Sequence, residues 1–314
     1  SDYTGSSDTE PHTVNAAATT TTVAGSPNPS VVGEDVIATA TVVANAPGAG
    51  TPTGNVTFDF GDGSPTVTVP LMSGTATTPP HAYTSVSGSP YTITATYTGT
   101  SDYTGSSDTD TQDVNPALTD ITLVDSPDPS VVGEDVTATA TVVAVAPGGG
   151  TPTGSVDFDF DDGTPVVNVP LDGTGTATTP VHAYTTAGVY AITATYNGND
   201  DYLVSFDADP HVVNPADTTT TIISDDPDPS AIGEDVTVTA TVVAVGPGGG
   251  TPTGTVDFDF GDGNTADDVP LDGTGTATAP VHAYGASGTF TITATYDGAA
   301  DYNISDDTED HDVV

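Results

Sequence analysis

The segment Pro127-Asp128-Pro129-Ser130-Val131-Val132-Gly133-Glu134-Asp135-Val136 occurs three times with small changes, starting at Pro27, Pro127 and Pro227. A period of about 100 residues is too long for a solenoid unit of roughly 20–50 residues, which needs its neighbours to close a core. It suits a β-sandwich domain that folds by itself. The intervening sequence recurs too, so the chain reads as a tandem array of three units, 16–115, 116–214 and 215–314. Residues 1–15 nearly duplicate 101–115 and read as the terminal strand of a preceding repeat. Because the chain starts within a repeat, it is expected to be a piece of something longer. The joints Asn115-Pro116-Ala117 and Asn214-Pro215-Ala216 are short, and proline restricts itself and the residue before it. Stiff elbows are therefore expected there.

Charge sets the next limit. The 314 residues include no Lys, no Arg and no Cys, against 44 acidic residues, for a formal net charge of −44. Such a chain has no electrostatic affinity for nucleic acid or an anionic membrane. Spread over three sandwiches end to end, about 120 Å from strands of about ten residues, it approaches the charge density of duplex DNA. Cations must accumulate around it. Disulfides and Lys–Asn isopeptide bonds are excluded, so each unit rests on its own core, which is feasible at that size. No stretch reads as a signal peptide or membrane span.

Hydrophobic alternation with a period of two predicts strands throughout. In the second unit, strand A is expected at Thr119–Val124 and a short A′ at Ser130–Val132 beyond the two prolines. Strand B buries Val136, Ala138, Ala140 and Val142. Strand C, Ser155–Phe160, points Val156, Phe158 and Phe160 inward and Asp157 and Asp159 outward. Strands D and E follow at Pro165–Leu171 and Gly175–Thr179. Strand F, Tyr190–Tyr196, buries Tyr190, Ile192, Ala194 and Tyr196, and strand G runs over Phe206–Val213. The expected class is all-β: a tandem array of three immunoglobulin-like, seven-stranded β-sandwich domains.

The repeated PSVVGEDV, GTPTGxVxFxF, VPLxxGTAT and TITATY segments resemble the bacterial immunoglobulin-like repeats of large surface proteins and adhesins. Phe258-Asp259-Phe260-Gly261-Asp262-Gly263 and His282-Ala283-Tyr284, with Gly288 and Phe290, also resemble the polycystic-kidney-disease (PKD) domain. Phe58, Phe158 and Phe258 stand where that family has Trp, and Asp161 replaces the motif's glycine. The resemblance implies fold more than function, since such sandwiches serve as spacers, adhesive modules and enzyme accessories.

Candidate sites are few. His81, His182 and His282 recur two residues before Tyr83, Tyr184 and Tyr284, and read as histidines bonding the turn before strand F. His12, His211 and His311 lie near the end of strand G, but Gln112 breaks that series. There is no cysteine nucleophile, basic clamp or GxSxG elbow, so no catalysis is expected. Asp157-x-Asp159-x-Asp161 begins like an EF-hand but lacks its glycine spacing and bidentate Glu. The sequons at Asn55 and Asn303 are chance-level matches.

The immunoglobulin-like strand order sets the A′–B, C–D and E–F turns at one end of a unit and the B–C, D–E and F–G loops at the other. Acidic turns of one unit would then meet acidic loops of the next. Either the units splay apart, or the acids are simply solvated in a salty medium, or a divalent cation bridges them, calcium before others because it takes six to eight oxygen ligands in loose geometry. Its candidate ligands are Glu134, Asp135, Asp162, Asp272 and Asp301 at one joint, and Glu34, Asp35, Asp62, Asp172 and Asp201 at the other. The sequence thus points to a non-enzymatic extracellular stalk or fibre whose partners are neighbouring repeats and other copies. The rival readings are a polysaccharide-binding accessory module and a self-assembling filament subunit.

Overall fold

The computed structural model describes residues 2–314. The first repeat contains ten strands: β1 (Thr19–Ser26), β2 (Ser30–Val31), β3 (Asp35–Ala44), β4 (Asn55–Asp59), β5 (Val67–Pro70), β6 (Thr75–Thr77), β7 (His81–Ala82), β8 (Tyr91–Tyr97), β9 (Ser106–Gln112) and β10 (Val114–Asn115). One sheet runs β1-β3-β6, with β7 also on β3, and a second runs β5-β4-β8-β9. Both are antiparallel. Strand β2 pairs in parallel with β10. The third repeat has the same two sheets, built on Asp235–Ala244 and Thr255–Asp259. No helix occurs among the described residues, so none is long and apolar enough to cross a membrane.

Alternation decides which side of each strand is buried. Val36, Ala38, Ala40 and Val42 of β3 are fully buried, as are Val56 and Phe58 of β4 and Ile93, Ala95 and Tyr97 of β8. The intervening positions are mostly threonines, whose branched side chains suit a pleated surface. In the second repeat the expected faces are observed, except that Tyr190 is only half-buried. The motif glycine supplies a left-handed turn at Gly61 and Gly261, with φ of 73° and 76°. Asp161 takes the same conformation at φ 59°, and its carboxylate accepts the Ala191 N–H at 3.2 Å.

A polar seam ties the first and last strands of a repeat together. Asp108 of β9 accepts the Val23 N–H of β1 and Asp110 accepts that of Gly25, each at 3.0 Å. Thr19 and Thr21 share the Ser106 hydroxyl at 2.8 and 2.7 Å. Asp207 and Asp307 repeat the first contact with Leu123 and Ile222, both at 2.9 Å. These carboxylates close an edge whose unpaired N–H groups would otherwise template another strand.

By contact density the chain divides into two compact units. The first extends to Asp120 and takes in Val142–Gly154 and Asn197–Ser205; the second comprises Ile121–Thr141, Ser155–Tyr196 and Phe206–Val314. The junction between the first and second repeats lies inside the first unit, and that between the second and third inside the second.

Candidate functional site

Each junction is built by the same few groups. In the first unit, the Gly149 N–H donates to the Val32 carbonyl at 3.1 Å, and Asp201 accepts the Val86 N–H at 2.7 Å. In the second unit, Gly249 donates to Val132 at 3.0 Å, and Asp301 accepts the Ala187 N–H at 2.7 Å. The tyrosines after these aspartates, Tyr202 and Tyr302, donate to the carbonyls of Gly149 and Gly249 at 3.1 and 3.2 Å, holding the glycine turns in place. The approach is close because both sides are glycine. A Cβ on Gly33 would lie 2.5 Å from Gly149 backbone, and one on Gly133 would lie 2.6 Å from Gly249. Val32 and Val132, next to these glycines, are 1% exposed, whereas the corresponding Ile232 is 55% exposed.

The residues expected to bind calcium have a different arrangement from the one their loops suggested. Of the ten, Asp201 and Asp301 reach across a junction, and each meets a backbone N–H rather than another carboxylate. Glu34 and Glu134 turn back to accept the N–H groups of Val31 and Val131, both at 3.0 Å. Asp172 and Asp272 each bind the following turn, accepting from the hydroxyl and N–H of Thr174 or Thr274 and the N–H of Thr176 or Thr276. These bonds, the threonine hydroxyl foremost, hold both carboxyls below their ordinary value. Asp35 and Asp135 are exposed and paired in register with Ala82 and Ala183. Asp62 and Asp162 face histidines.

Those histidines are His81 and His182, with His282 beside Asp262 in the third repeat. The Nε2–Oδ2 distances are 2.8, 2.9 and 3.0 Å. Each imidazole stacks on a phenylalanine, His81 on Phe60 at 3.9 Å between ring centres, and sits edge-on to Tyr83 or its equivalent. Burial opposes the charge on Asp62. Hydrogen bonds from Ser64, then the imidazole, outweigh it and hold the carboxyl below its ordinary value; Asp162 and Asp262 behave alike. Burial, with the Asp262 charge, pushes the Tyr284 hydroxyl up to about 12. The neighbouring tyrosine is as expected, but the imidazole bonds an aspartate of the turn that follows Asp59, Asp159 or Asp259 rather than the turn before strand F.

A second set of histidines lies deeper. His211 and His311 are 0% exposed, and their Nε2 atoms lie 2.8 and 2.9 Å from the buried hydroxyls of Ser130 and Ser230. Their Nδ1 atoms face Asp125 and Asp225, with Asp128 and Asp228 at 3.5 Å. Each ring also stacks on a core tyrosine, Tyr184 or Tyr284. Burial raises the Asp125 carboxyl, against the lowering effect of the His211 hydrogen bond. These buried Asp/His clusters are capable of coordinating a cation. A third group, Asp257, Asp268 and Asp297, is purely carboxylate and largely exposed. Gln112 interrupts the strand-G histidine series, and in the same repeat Gly25 stands in place of Asp125 and Asp225.

The sequence profile of the bacterial Ig-like domain (group 3) matches residues 123–213 and 223–314. Comparison with curated protein sequences returns no match. Among solved structures, a tetra-tandem repeat from the extending region of a large adhesion protein is similar at 15% identity and a TM-score of 0.41. That match covers 95% of this chain and 74% of the other. The Escherichia coli adhesin FdeC is similar at 14% identity and a TM-score of 0.30, over 97% of this chain and 99% of its own. The ICAM-5 D1–D4 ectodomain fragment is similar at 12% identity and a TM-score of 0.38, over 94% and 77%. The profile covers more than half of the chain, and its two matched segments carry Gly133, Gly149 and Gly249 of the junctions and the buried His211 and His311: the chain belongs to the bacterial Ig-like domain family, group 3.

Proposed function

We propose that the chain is a non-enzymatic, extracellular spacer segment made of three seven-stranded sandwich domains, 16–115, 116–214 and 215–314. The observation that carries this reading is the junction, built twice from the same groups: a glycine turn on a glycine turn, and an aspartate on a backbone N–H. A spacer needs its joints held, and a repeated joint holds each pair of domains alike. Large exposed aromatics are Tyr3 and Phe206 among the described residues, and two isolated rings offer no platform for a polysaccharide.

In this reading the acidic coat carries calcium. At an effective dielectric constant of about 20, two carboxylates about 5 Å apart repel by roughly 3 kcal/mol. With no Lys or Arg in the chain, relief of that repulsion comes from cations. Glu34, Asp35, Asp62, Asp172 and Asp201, with Glu134, Asp135, Asp162, Asp272 and Asp301, are the carboxylates proposed for this role. Their local hydrogen bonds favour loosely held calcium over a closed cage. The test is thermal unfolding of the whole chain in calcium and in chelator at matched ionic strength. Calcium is expected to raise the melting temperature above what monovalent salt achieves. An equal effect from sodium would reduce the acids to a solvated coat.

A further inference from the structure

We propose that the cluster of Asp125, Asp128 and His211, and its counterpart Asp225, Asp228 and His311, is a binding site for a divalent transition ion of the zinc type. Each site is internal to its own repeat and separate from the calcium coat.

The first argument is the ligand set. Imidazole nitrogen with carboxylate oxygen suits zinc and its neighbours, whereas calcium takes oxygen alone. In the third repeat, His311 Nδ1 lies 2.9 Å from Asp225 Oδ2 and 3.5 Å from Asp228 Oδ1. A tetrahedral ion with bonds of about 2.1 Å needs ligand separations of about 3.4 Å, so a shift of about half an ångström at Asp225 admits it. The second argument is the other side of the ring. Ser130 and Ser230, 1% and 0% exposed, hold Nε2. With Nδ1 protonated, the ring donates to the aspartate and accepts from the serine hydroxyl; with Nε2–H donating to that hydroxyl instead, the Nδ1 lone pair faces two carboxylates and is set to share a cation with them. Metal-bound histidines have such a partner on the remote nitrogen.

The third argument is internal to the sequence. In the first repeat all three ligand positions change together, to Gly25, Asn28 and Gln112. The fold there is kept. Gln112 donates to the Pro27 carbonyl at 2.9 Å and the Ser30 hydroxyl at 3.2 Å, and its amide oxygen would lie 2.7 Å from a Cβ on Gly25. Asn28 still accepts a strand-G N–H, from Asp113 at 3.0 Å, as Asp128 does from Val212 at 3.2 Å. Uncharged side chains therefore fill the same space, with the Gln112 amide oxygen buried and without a hydrogen-bond partner. What the second and third repeats retain as a set is the imidazole and two carboxylates, the parts a metal needs.

The test uses the whole chain, dialysed against micromolar Zn²⁺ in high salt with excess Ca²⁺ to occupy the diffuse coat. Bound zinc is counted by elemental analysis. Two ions per chain are expected. Grafting the first repeat's set into the second (D125G/D128N/H211Q) should leave one, and grafting the third as well (D225G/D228N/H311Q) should leave none. Circular dichroism checks that the grafts keep the β fold, and H81Q/H182Q/H282Q should still bind two. Cobalt(II) in place of zinc should show visible bands that disappear with the grafts. Stoichiometry unaffected by the grafts, or lost with the surface histidines instead, would overturn the proposal. No bound zinc in the unmodified chain would overturn it equally and leave a shared proton as the only cation in the cluster.

Discussion

Replacing Asp201 by alanine isolates the contact that holds the first junction. Its carboxylate accepts the Val86 N–H at 2.7 Å, and both residues are half-buried. A hydrogen bond to a charged group contributes about 1.5–3 kcal/mol, and partial exposure reduces this to about 1–2 kcal/mol. The Gly149–Val32 bond at 3.1 Å remains, so the junction should loosen while the repeats stay folded. At about 1.4 kcal/mol per factor of ten in an equilibrium constant, amide exchange at Val86 should accelerate roughly five- to thirty-fold. Exchange at the fully buried core strands should not change. Asp201→Asn keeps an acceptor oxygen and should lose less. Asp102→Ala, which removes the equivalent carboxylate, bonded in its own loop to the Ser101 hydroxyl at 3.1 Å, serves as the control. Unchanged protection at Val86 in Asp201→Ala, or greater protection in both variants, would mean that Asp201 repels across the junction rather than locks it.

Three further outcomes follow from the geometry. Phe158→Ala removes a fully buried ring and should cost about 3–5 kcal/mol in denaturant unfolding, while Asp159→Asn on the exposed face should be near neutral; equal losses would mean the strand faces are misassigned. Gly133→Ala should cost more than Gly233→Ala: both have φ of about 80°, worth about 1–2 kcal/mol to any Cβ, but only Gly133 has the Gly249 backbone 2.6 Å from that Cβ, and equal melting temperatures would contradict the close approach. The lowered carboxyls of Asp62, Asp162 and Asp262 favour the fold fully above the unfolded carboxylate range near pH 4 and lose that contribution as pH falls through their lower folded values, so melting temperature should fall below about pH 4, and less steeply in H81Q/H182Q/H282Q; parallel profiles would refute the histidine clamp.

The strand faces were legible because burial follows a period of two, as in Val136, Ala138, Ala140 and Val142. What alternation cannot convey is which polar group a given carboxylate meets. Asp108 and Asp110 cap N–H groups of a strand about 85 residues earlier, a partner that no local pattern names. Asp62 and His81 are 19 residues apart and meet only because two turns converge at one end of the repeat. At the junctions, strand order correctly brought loop against turn. The side-chain partner was still wrong, since backbone N–H groups are invisible in a list of charges. The glycine turn of Gly148-Gly149-Gly150 carried the missing signal: a run without side chains marks a place where another backbone comes close. The Asp/His clusters are not legible locally, because each histidine meets an aspartate 86 residues earlier in the chain.

The spacer account is tested most directly by pulling the whole chain from its two ends in a single-molecule force experiment. Three domains of about 100 residues should unfold one at a time. Each step should add about 300 Å, from about 3.5 Å per extended residue less the folded length. The account predicts three such steps, at forces that rise in calcium. A single cooperative step, or extension without resistance, would contradict it.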